Sequence, residues 1–191
     1  SLSMRIKTRI FNFFGKDTVE LEKVSCQTPT PFNKNITFEL DLNESVGRGL
    51  YFWGYAGWHE PESVRLFLEL LKSKRCLIDV GANLGLYSML ASLAWGEKGE
   101  IHAFEPNPDV VSSLLRHKEI NGFKNLIVNH EAAWNTNGKA EIFLPHPDHR
   151  SNASLMSGFI DAERKIQIDT IRLDTYLAKN NIQSFDLLKV D

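Results

Sequence analysis

Two glycines follow a short apolar segment in an order that is typical of a ligand-binding turn. Cys76 to Val80 is an almost continuous apolar run, which predicts a parallel strand buried on both faces, and Asp79 lies near its end. Gly81 and Gly85 come next, and Leu84 to Trp95 has the spacing of an amphipathic helix. A strand, a glycine turn and a helix together bring backbone N–H groups and a helix N-terminus to a bound ligand.

The next apolar run ends in a second acidic residue. Glu105 follows Glu100 to Phe104 and lies twenty residues after Gly85, the spacing at which a strand-terminal acid reaches a ribose diol. A dinucleotide site would need a glycine at the middle of the turn, and the sequence from Gly81 to Gly85 has none there. A ligand without phosphate, such as S-adenosylmethionine, fits this turn better. Asp79 would then hold its ammonium group and Glu105 its ribose.

Four blocks of sequence carry a resemblance to a known family. The region from Tyr55 to Asp191 resembles the FkbM-type family of S-adenosylmethionine-dependent methyltransferases. The matching blocks are Gly57–Glu62, Ile78–Gly85, Phe104–Pro108 and Phe185–Asp191. In that family the last block normally continues with Val-Glu-Gly, whereas this sequence stops at Asp191. The resemblance implies further strands and helices, so we expect this chain to be a truncated or partly ordered version of a longer protein.

The fold class that these patterns and the resemblance predict is α/β. We expect a Rossmann-like doubly wound sheet of the class I methyltransferase type, with the C-terminal strands missing. Residues 1–54 are expected to form an N-terminal β/α appendage, and residues 55–191 the S-adenosylmethionine-binding domain. Thr18 to Val24 and Ile36 to Leu42 predict two antiparallel strands in the appendage, joined by the connector Thr28–Pro31.

The remaining elements follow from caps and periodicity. Pro61 predicts the start of a helix whose buried stripe is Val64, Phe67, Leu68 and Leu71. Asn107 and Pro108 predict the start of a second helix, which is expected to end at Asn121-Gly122. The residues of this second helix that are expected to face the sheet are Val111, Leu114 and Leu115. Leu126–Val128 and Phe185–Val190 are expected to be strands of the main sheet. A hairpin is expected from Lys139–Leu144 and Lys165–Leu173, followed by a short helix over Thr175–Lys179 capped by Asp174.

The predicted site lies at the carboxyl ends of the main strands. The expected cofactor-binding residues are Glu60, Asp79, Gly81, Ala82, Asn83, Gly85, Tyr87, Glu105, Asn107, Glu131 and Ala132. In related methyltransferases an acid after the third strand holds the adenine amino group, which the resemblance assigns to Glu131. Asp191 and His59 are the candidates for catalytic base or acceptor positioning, and Glu60 is either a helix cap or a carboxylate at the crevice mouth.

The resemblance implies O-methylation of a hydroxyl on a small molecule or a sugar, with S-adenosyl-L-methionine as cofactor and no metal. Two other classes stay open. A NAD-dependent oxidoreductase would share Glu105, and a non-catalytic nucleotide- or S-adenosylmethionine-binding module would need only the crevice. The loop Pro145–Gly158 contains His146, Asp148 and His149; a zinc site there is one interpretation, and a flap over the acceptor is the favoured one.

Composition narrows the class of partner and compartment. The chain has 191 residues, 42% of them hydrophobic, which is enough for one domain with a core, and its net charge of −2 argues against a nucleic-acid partner. Two cysteines, Cys26 and Cys76, are expected to be thiols in a reducing compartment, so we expect a cytoplasmic protein. No apolar stretch is long enough to span a membrane. Ser1 to Gly15 is amphipathic and predicts a helix on the domain or, alternatively, a membrane-surface contact.

Overall fold

The central element of the protein is a parallel sheet. The computed structural model describes residues 23–55, 57, 60–145 and 164–191. Within them the strands of the main sheet are β3 (Cys76–Val80), β4 (Glu100–Phe104), β5 (Leu126–Asn129) and β9 (Leu187–Val190). They lie in the order β5-β4-β3-β9, and every neighbouring pair is parallel. The predicted α/β class and the four predicted main strands are therefore confirmed.

Helices and two smaller sheets surround this sheet. The helices are α1 (Ser45–Trp53), α2 (Pro61–Leu70), α3 (Leu86–Trp95), α4 (Pro108–Asn121) and α5 (Leu173–Lys179). The other strands are β1 (Lys23–Pro29), β2 (Asn35–Asp41), β6 (Ala132–Ala133), β7 (Gly138–Leu144) and β8 (Arg164–Ile171). None of the helices in the described ranges is long and apolar enough to cross a membrane.

The central strands are buried because helices cover both of their faces. Leu77 and Ile101 are fully buried in the main hydrophobic cluster, which also contains residues of α3 and α4. Ile78 and Phe104 point to the opposite face and pack with Tyr176 of α5 in a second cluster. The continuous apolar pattern of β3 and β4 follows from this two-sided burial.

The predicted caps explain where α2 and α4 begin and end. Proline is at the first position of both helices, and Gly122 takes the left-handed conformation that ends α4, with φ of +66°. The face of α4 that meets the sheet differs from the prediction. Leu115 is 47% exposed, whereas Val110 is buried with Val111 and Leu114. The expected inward position of Leu115 is therefore wrong, because the stripe is rotated by about one residue toward the helix N-terminus.

The N-terminal hairpin is held by side chains of α4. β1 and β2 pair antiparallel over Lys23–Pro29 and Asn35–Asp41, so the described strand continues past Val24 and includes Thr28 and Pro29 of the expected connector. Asn121 accepts from the Thr37 backbone N–H and donates to its carbonyl, both at 2.8 Å. His117, completely buried, lies within hydrogen-bond distance of the Glu39 backbone. These contacts join the hairpin to the core of the main sheet.

The expected hairpin beside the main sheet is present with one addition. β7 and β8 pair antiparallel, and the two-residue strand β6 pairs parallel with β8. The second strand of the predicted hairpin, Lys165–Leu173, extends two residues too far at its C-terminal end, because α5 begins at Leu173 with Arg172 as its cap residue. Asp174 therefore lies in the first turn of α5, where it accepts from the Thr175 N–H, and its expected position as the cap is wrong.

Several predictions fall on residues outside the described ranges. They are the amphipathic segment Ser1–Gly15, most of the strand Thr18–Val24, His59 of the candidate catalytic pair, and the loop histidines His146 and His149.

Candidate functional site

The glycine turn crosses from β3 to the end of β4. The backbone N–H groups of Gly81 and Ala82 both donate to the carbonyl of Phe104, at 3.0 and 2.9 Å. Gly81 has φ of +71°, and a Cβ there would lie 3.3 Å from the Cβ of Asp191. A side chain at position 81 would thus be strained and crowded, so glycine keeps the turn close to the end of β9.

Glu105 closes this turn from the side of β4. Its Oε2 accepts from the Asn83 backbone N–H and its Oε1 from the Asn107 backbone N–H, both at 2.9 Å. The side chain belongs to a residue that is only 7% exposed. Burial raises the pKa of Glu105 to about 7, although the two N–H bonds and Lys189 act in the opposite direction. The carboxyl group is therefore a buried acceptor whose charge changes near neutral pH.

Asp79 is fully buried at the end of β3. Its Oδ2 accepts from the Ser88 hydroxyl at 2.6 Å, whereas its Oδ1 has no hydrogen-bond partner among the described residues. The ammonium of Lys189 lies 3.5 Å from Oδ1. A buried carboxylate oxygen that lacks a hydrogen-bond donor favours a cationic donor beside it.

Lys189 is the site residue that the sequence analysis missed. Its Nζ donates to the Gly81 carbonyl at 3.0 Å and lies 3.3 Å from Asp191 Oδ2 and 5.2 Å from the centre of the Tyr87 ring. Lys189 and Asp79 are register partners in adjacent strands. A lysine inside an otherwise apolar strand pattern was the available signal, since a charge placed there needs partners.

Glu60 and Tyr87 lie on the α2 side of the same region. The pKa of Tyr87 is raised to about 12, first by burial and then by the charges of Glu60, Asp191 and Asp79. The Tyr87 ring packs edge-on against Phe67 of α2, with centroids 5.0 Å apart. Glu60 is the N-cap residue of α2, as predicted, and its carbonyl accepts from the Val64 N–H at 3.1 Å, but its side chain makes no capping hydrogen bond.

Two of the predicted cofactor residues also have structural roles in this fold. A Cβ at Gly85 would lie 2.3 Å from Leu114 Cδ1, and its φ is +90°, so the position needs glycine for the contact of α3 with α4. The Asn107 side chain accepts from the Asp109 N–H and caps α4. Their contact with a cofactor stays a prediction.

The residues expected after β5 lie toward the smaller sheet. Ala132 is in β6 and packs with Ile142 and Ile168. Glu131 is partly buried, which raises its pKa, while Lys179 of α5 lowers it. The role of Glu131 in binding adenine and that of Ala132 in the cofactor site stay predictions.

The structure therefore brings three of the predicted acids to one edge of the sheet. Asp79 is the penultimate residue of β3, whereas Glu105 and Asp191 directly follow β4 and β9. The charge of Glu60 also acts on Tyr87 beside them. This is the edge at which open parallel sheets bind ligands. Its chemistry suits a ligand that carries both hydroxyl groups and a positive charge, since carboxylates accept from both.

The chain is similar to several solved structures at low identity. A SAM-dependent methyltransferase from Agrobacterium tumefaciens is 12% identical, with a TM-score of 0.40 over 62% of this chain and 35% of that chain. A methyltransferase from Geobacter sulfurreducens is 16% identical, with a TM-score of 0.38 over 65% and 57%. TYW2 from P. horikoshii, in complex with MeSAdo, is 14% identical, with a TM-score of 0.43 over 71% and 49%. The chain thus spans about a third to less than two thirds of these proteins.

No curated protein matches the chain. A family model does match it, and its description is "Methyltransferase FkbM domain". The match covers residues 79–191, from Asp79 in β3 to the end of β9, and so includes the glycine turn, Glu105 and Lys189. Because this match spans more than half of the sequence, the chain belongs to the FkbM methyltransferase domain family.

Proposed function

We propose that the protein is an S-adenosylmethionine-dependent methyltransferase that methylates a hydroxyl group of a small molecule or sugar. The observation that carries this proposal is the position of Glu105. Its carboxyl group follows β4, lies beside the turn after β3, and is oriented by the N–H groups of Asn83 and Asn107 at 2.9 Å. Each carboxylate oxygen can accept a second hydrogen bond, so an ionised Glu105 has acceptors left for the two hydroxyls of a ribose.

Asp79 and its surroundings fit the other end of this cofactor. The spare, buried Oδ1 of Asp79 is an orphaned acceptor that an ammonium group would satisfy. Lys189 neutralises part of this negative charge from 3.5 Å. We therefore assign the ribose to Glu105 and the amino-acid end to Asp79 and to the backbone of residues 81–85. The Tyr87 ring and Glu60 complete the wall on the α2 side.

The bound cofactor supplies a methyl group that its sulfonium activates for transfer. The protein must then orient an acceptor oxygen and receive its proton. Asp191 is the described residue that we assign to this task. Its side chain is 71% exposed at the end of β9, and Lys189, 3.3 Å away, orients its carboxylate. His59 remains the second candidate for the base.

Two further classes of function make different predictions for ligand binding. An oxidoreductase would bind NAD, yet the middle position of the turn is occupied by Asn83 with a side chain, where a pyrophosphate needs close approach to the backbone. A non-catalytic module would bind the cofactor without methyl transfer.

A cytoplasmic location is part of the same proposal and rests on the two cysteines, which the structure contains as thiols.

Calorimetric titration tests the cofactor assignment. Wild-type protein is titrated with S-adenosylhomocysteine and, separately, with NAD. We expect micromolar binding of S-adenosylhomocysteine, about −8 kcal/mol, and no binding of NAD. Glu105→Gln should weaken the binding by about 10- to 100-fold, the equivalent of roughly 1.5–3 kcal/mol for hydrogen bonds to a charged group.

Glu119→Gln is the matched control, because Glu119 is 74% exposed on α4, where it pairs with Arg116. Equal affinities for wild type, Glu105→Gln and the control would contradict the assigned pose. Tight binding of NAD would favour the oxidoreductase. If S-adenosylhomocysteine binds as expected, incubation of wild type and Asp191→Asn with S-adenosylmethionine and a panel of hydroxylated acceptors then separates an enzyme from a binding module.

A further inference from the structure

Three side chains with metal-binding atoms meet at the other end of the main sheet. Cys76 opens β3 and Glu100 opens β4, and the two residues are register partners in the parallel ladder. His102 follows two residues after Glu100, so it points to the same face of the sheet. One ligand atom from each of Cys76, Glu100 and His102 lies within 4.8 Å of the other two. The cluster faces α5 and is separated from Glu105 by the length of β4.

The imidazole of His102 is buried without a complete set of partners. Its residue is 1% exposed, and Nε2 makes no hydrogen bond with the residues that the structure describes. Glu100 Oε1 lies 3.2 Å from Nε2, the distance of an ion pair when the ring is protonated. A buried nitrogen that is left in this state calls for an explanation. A cation between the nitrogen, the carboxylate and the thiol would satisfy it.

The other ring nitrogen is held in the way that metal-binding histidines require. His102 Nδ1 is 2.8 Å from the hydroxyl of Tyr176, which is 4% exposed on α5. The two rings also pack edge-on with centroids 5.5 Å apart. When Nδ1 carries the proton and donates to Tyr176, Nε2 presents its lone pair toward Cys76 and Glu100. Such outer partners set the tautomer and orientation of a histidine ligand.

An open cavity gives this cluster a route to solvent. A space of about 500 Å³ opens at the amino ends of β3 and β4, and its lining includes Arg75, Cys76, Glu97, Lys98, Glu100 and Lys124. Two of the three metal-binding side chains therefore border the cavity. An ion can enter there, and water can occupy a fourth position beside three protein ligands.

We propose that Cys76, Glu100 and His102 form a zinc site at the amino ends of β3 and β4. A thiolate, an imidazole and a carboxylate are the ligands that Zn²⁺ uses in proteins, whereas Mg²⁺ and Ca²⁺ prefer oxygen alone. Binding converts the Cys76 thiol into a thiolate and releases its proton to solvent. Through His102 and Tyr176 the site also fastens α5 to the main sheet. This proposal does not depend on the proposed methyl transfer.

Cobalt substitution tests the site without any activity measurement. The metal-free full chain, kept reduced, is titrated with Co²⁺, and thiolate-to-cobalt charge-transfer absorption is recorded. We expect this absorption to saturate at one Co²⁺ per chain and to disappear when Zn²⁺ is added. Cys76→Ser should abolish it, whereas Cys26→Ser, in β1, should retain it.

Tyr176→Phe removes only the hydroxyl that orients His102 and should weaken Co²⁺ binding by about 10- to 100-fold. Circular dichroism confirms that each variant is folded. Absence of charge-transfer absorption in folded wild type would overturn the proposal, as would absorption that survives in Cys76→Ser. Cobalt binding without a thiolate band would assign the metal to other side chains and would overturn it equally. A wild-type melting temperature that rises with Zn²⁺, while that of Cys76→Ser does not, would support it independently.

Discussion

Replacement of Glu105 by glutamine will change how the stability of the fold depends on pH. The Glu105 carboxyl group is buried, and its pKa is raised from 4.5 to about 7, mainly by desolvation. A pKa difference of this size corresponds to roughly 3 kcal/mol of stability. Glutamine has nearly the same shape and does not titrate, so the variant lacks this contribution.

The sign of the effect follows from the proton bound in each state. Below pH 4.5 the carboxyl is protonated in the folded and the unfolded protein, and the full stability is present. Between pH 4.5 and about 7 the folded state keeps the proton that the unfolded state has lost, so the free energy of unfolding falls as the pH rises. Above that range the folded protein holds a buried carboxylate and the loss is complete.

Urea denaturation at several pH values between 4.5 and 8 measures this effect. Relative to wild type, Glu105→Gln should gain roughly 3 kcal/mol of unfolding free energy across the series, because only wild type loses stability as the pH rises. His102, whose pKa is lowered mainly by burial, contributes in the opposite direction but cancels in the difference. Glu119→Gln should run parallel to wild type. Parallel profiles for wild type and Glu105→Gln would refute the reasoning.

The same ionisation bears on the proposed cofactor. Ribose hydroxyls donate to a carboxylate, so the ionised form of Glu105 is the one competent to bind. With a pKa of about 7, this form rises about tenfold between pH 6 and pH 8, and the affinity for S-adenosylhomocysteine should rise with it.

Two further predictions concern residues around the crevice. Gly85→Ala should lower the free energy of unfolding, measured by urea denaturation, by about 1–3 kcal/mol more than Gly122→Ala. Both glycines are left-handed, but only a Cβ at position 85 meets buried side chains, with the nearest atom at 2.3 Å. Equal losses would show that packing at Gly85 does not matter. Lys189→Met should cost about 3 kcal/mol, because it leaves the buried Asp79 carboxylate without its cation. Lys165→Met, which breaks an exposed pair with a lysine that is 59% exposed, should cost at most about 1 kcal/mol, and a similar value for Lys189→Met would contradict the buried ion pair.

Local signals predicted most of the elements that build the crevice. The apolar run of β3, the glycine turn and the acid after β4 are consecutive features, and each reflects a backbone or burial demand within a few residues. The proline starts of α2 and α4 and the glycine end of α4 are equally local. Their positions were correct because capping and left-handed turns depend on the residue itself.

Predictions of which face of a helix is buried, and of the residue at which a helix begins, were less accurate. The buried face of α4 includes Val110 and excludes Leu115, since both positions fit an apolar stripe and only the packing against the sheet selects one. α5 begins at Leu173, two residues before its expected start, because Arg172 takes the cap position. Helix α1 was not predicted, and its N-cap is Glu44, which accepts from the Gly47 N–H although glutamate is an uncommon cap.

The sequence by itself determined the α/β class, the succession of the main strands and helices along the chain, and the acids at the carboxyl ends of those strands. These features depend on periodicity and on neighbouring residues in the sequence. Only the tertiary structure decided which distant side chains meet. The parallel register places Lys189 beside Asp79, and it places Cys76 and Glu100 together on the face of His102. α5 then brings Tyr176 to His102 from 74 residues away. Such contacts arise from strand register and helix packing, which join parts of the chain that no local pattern connects.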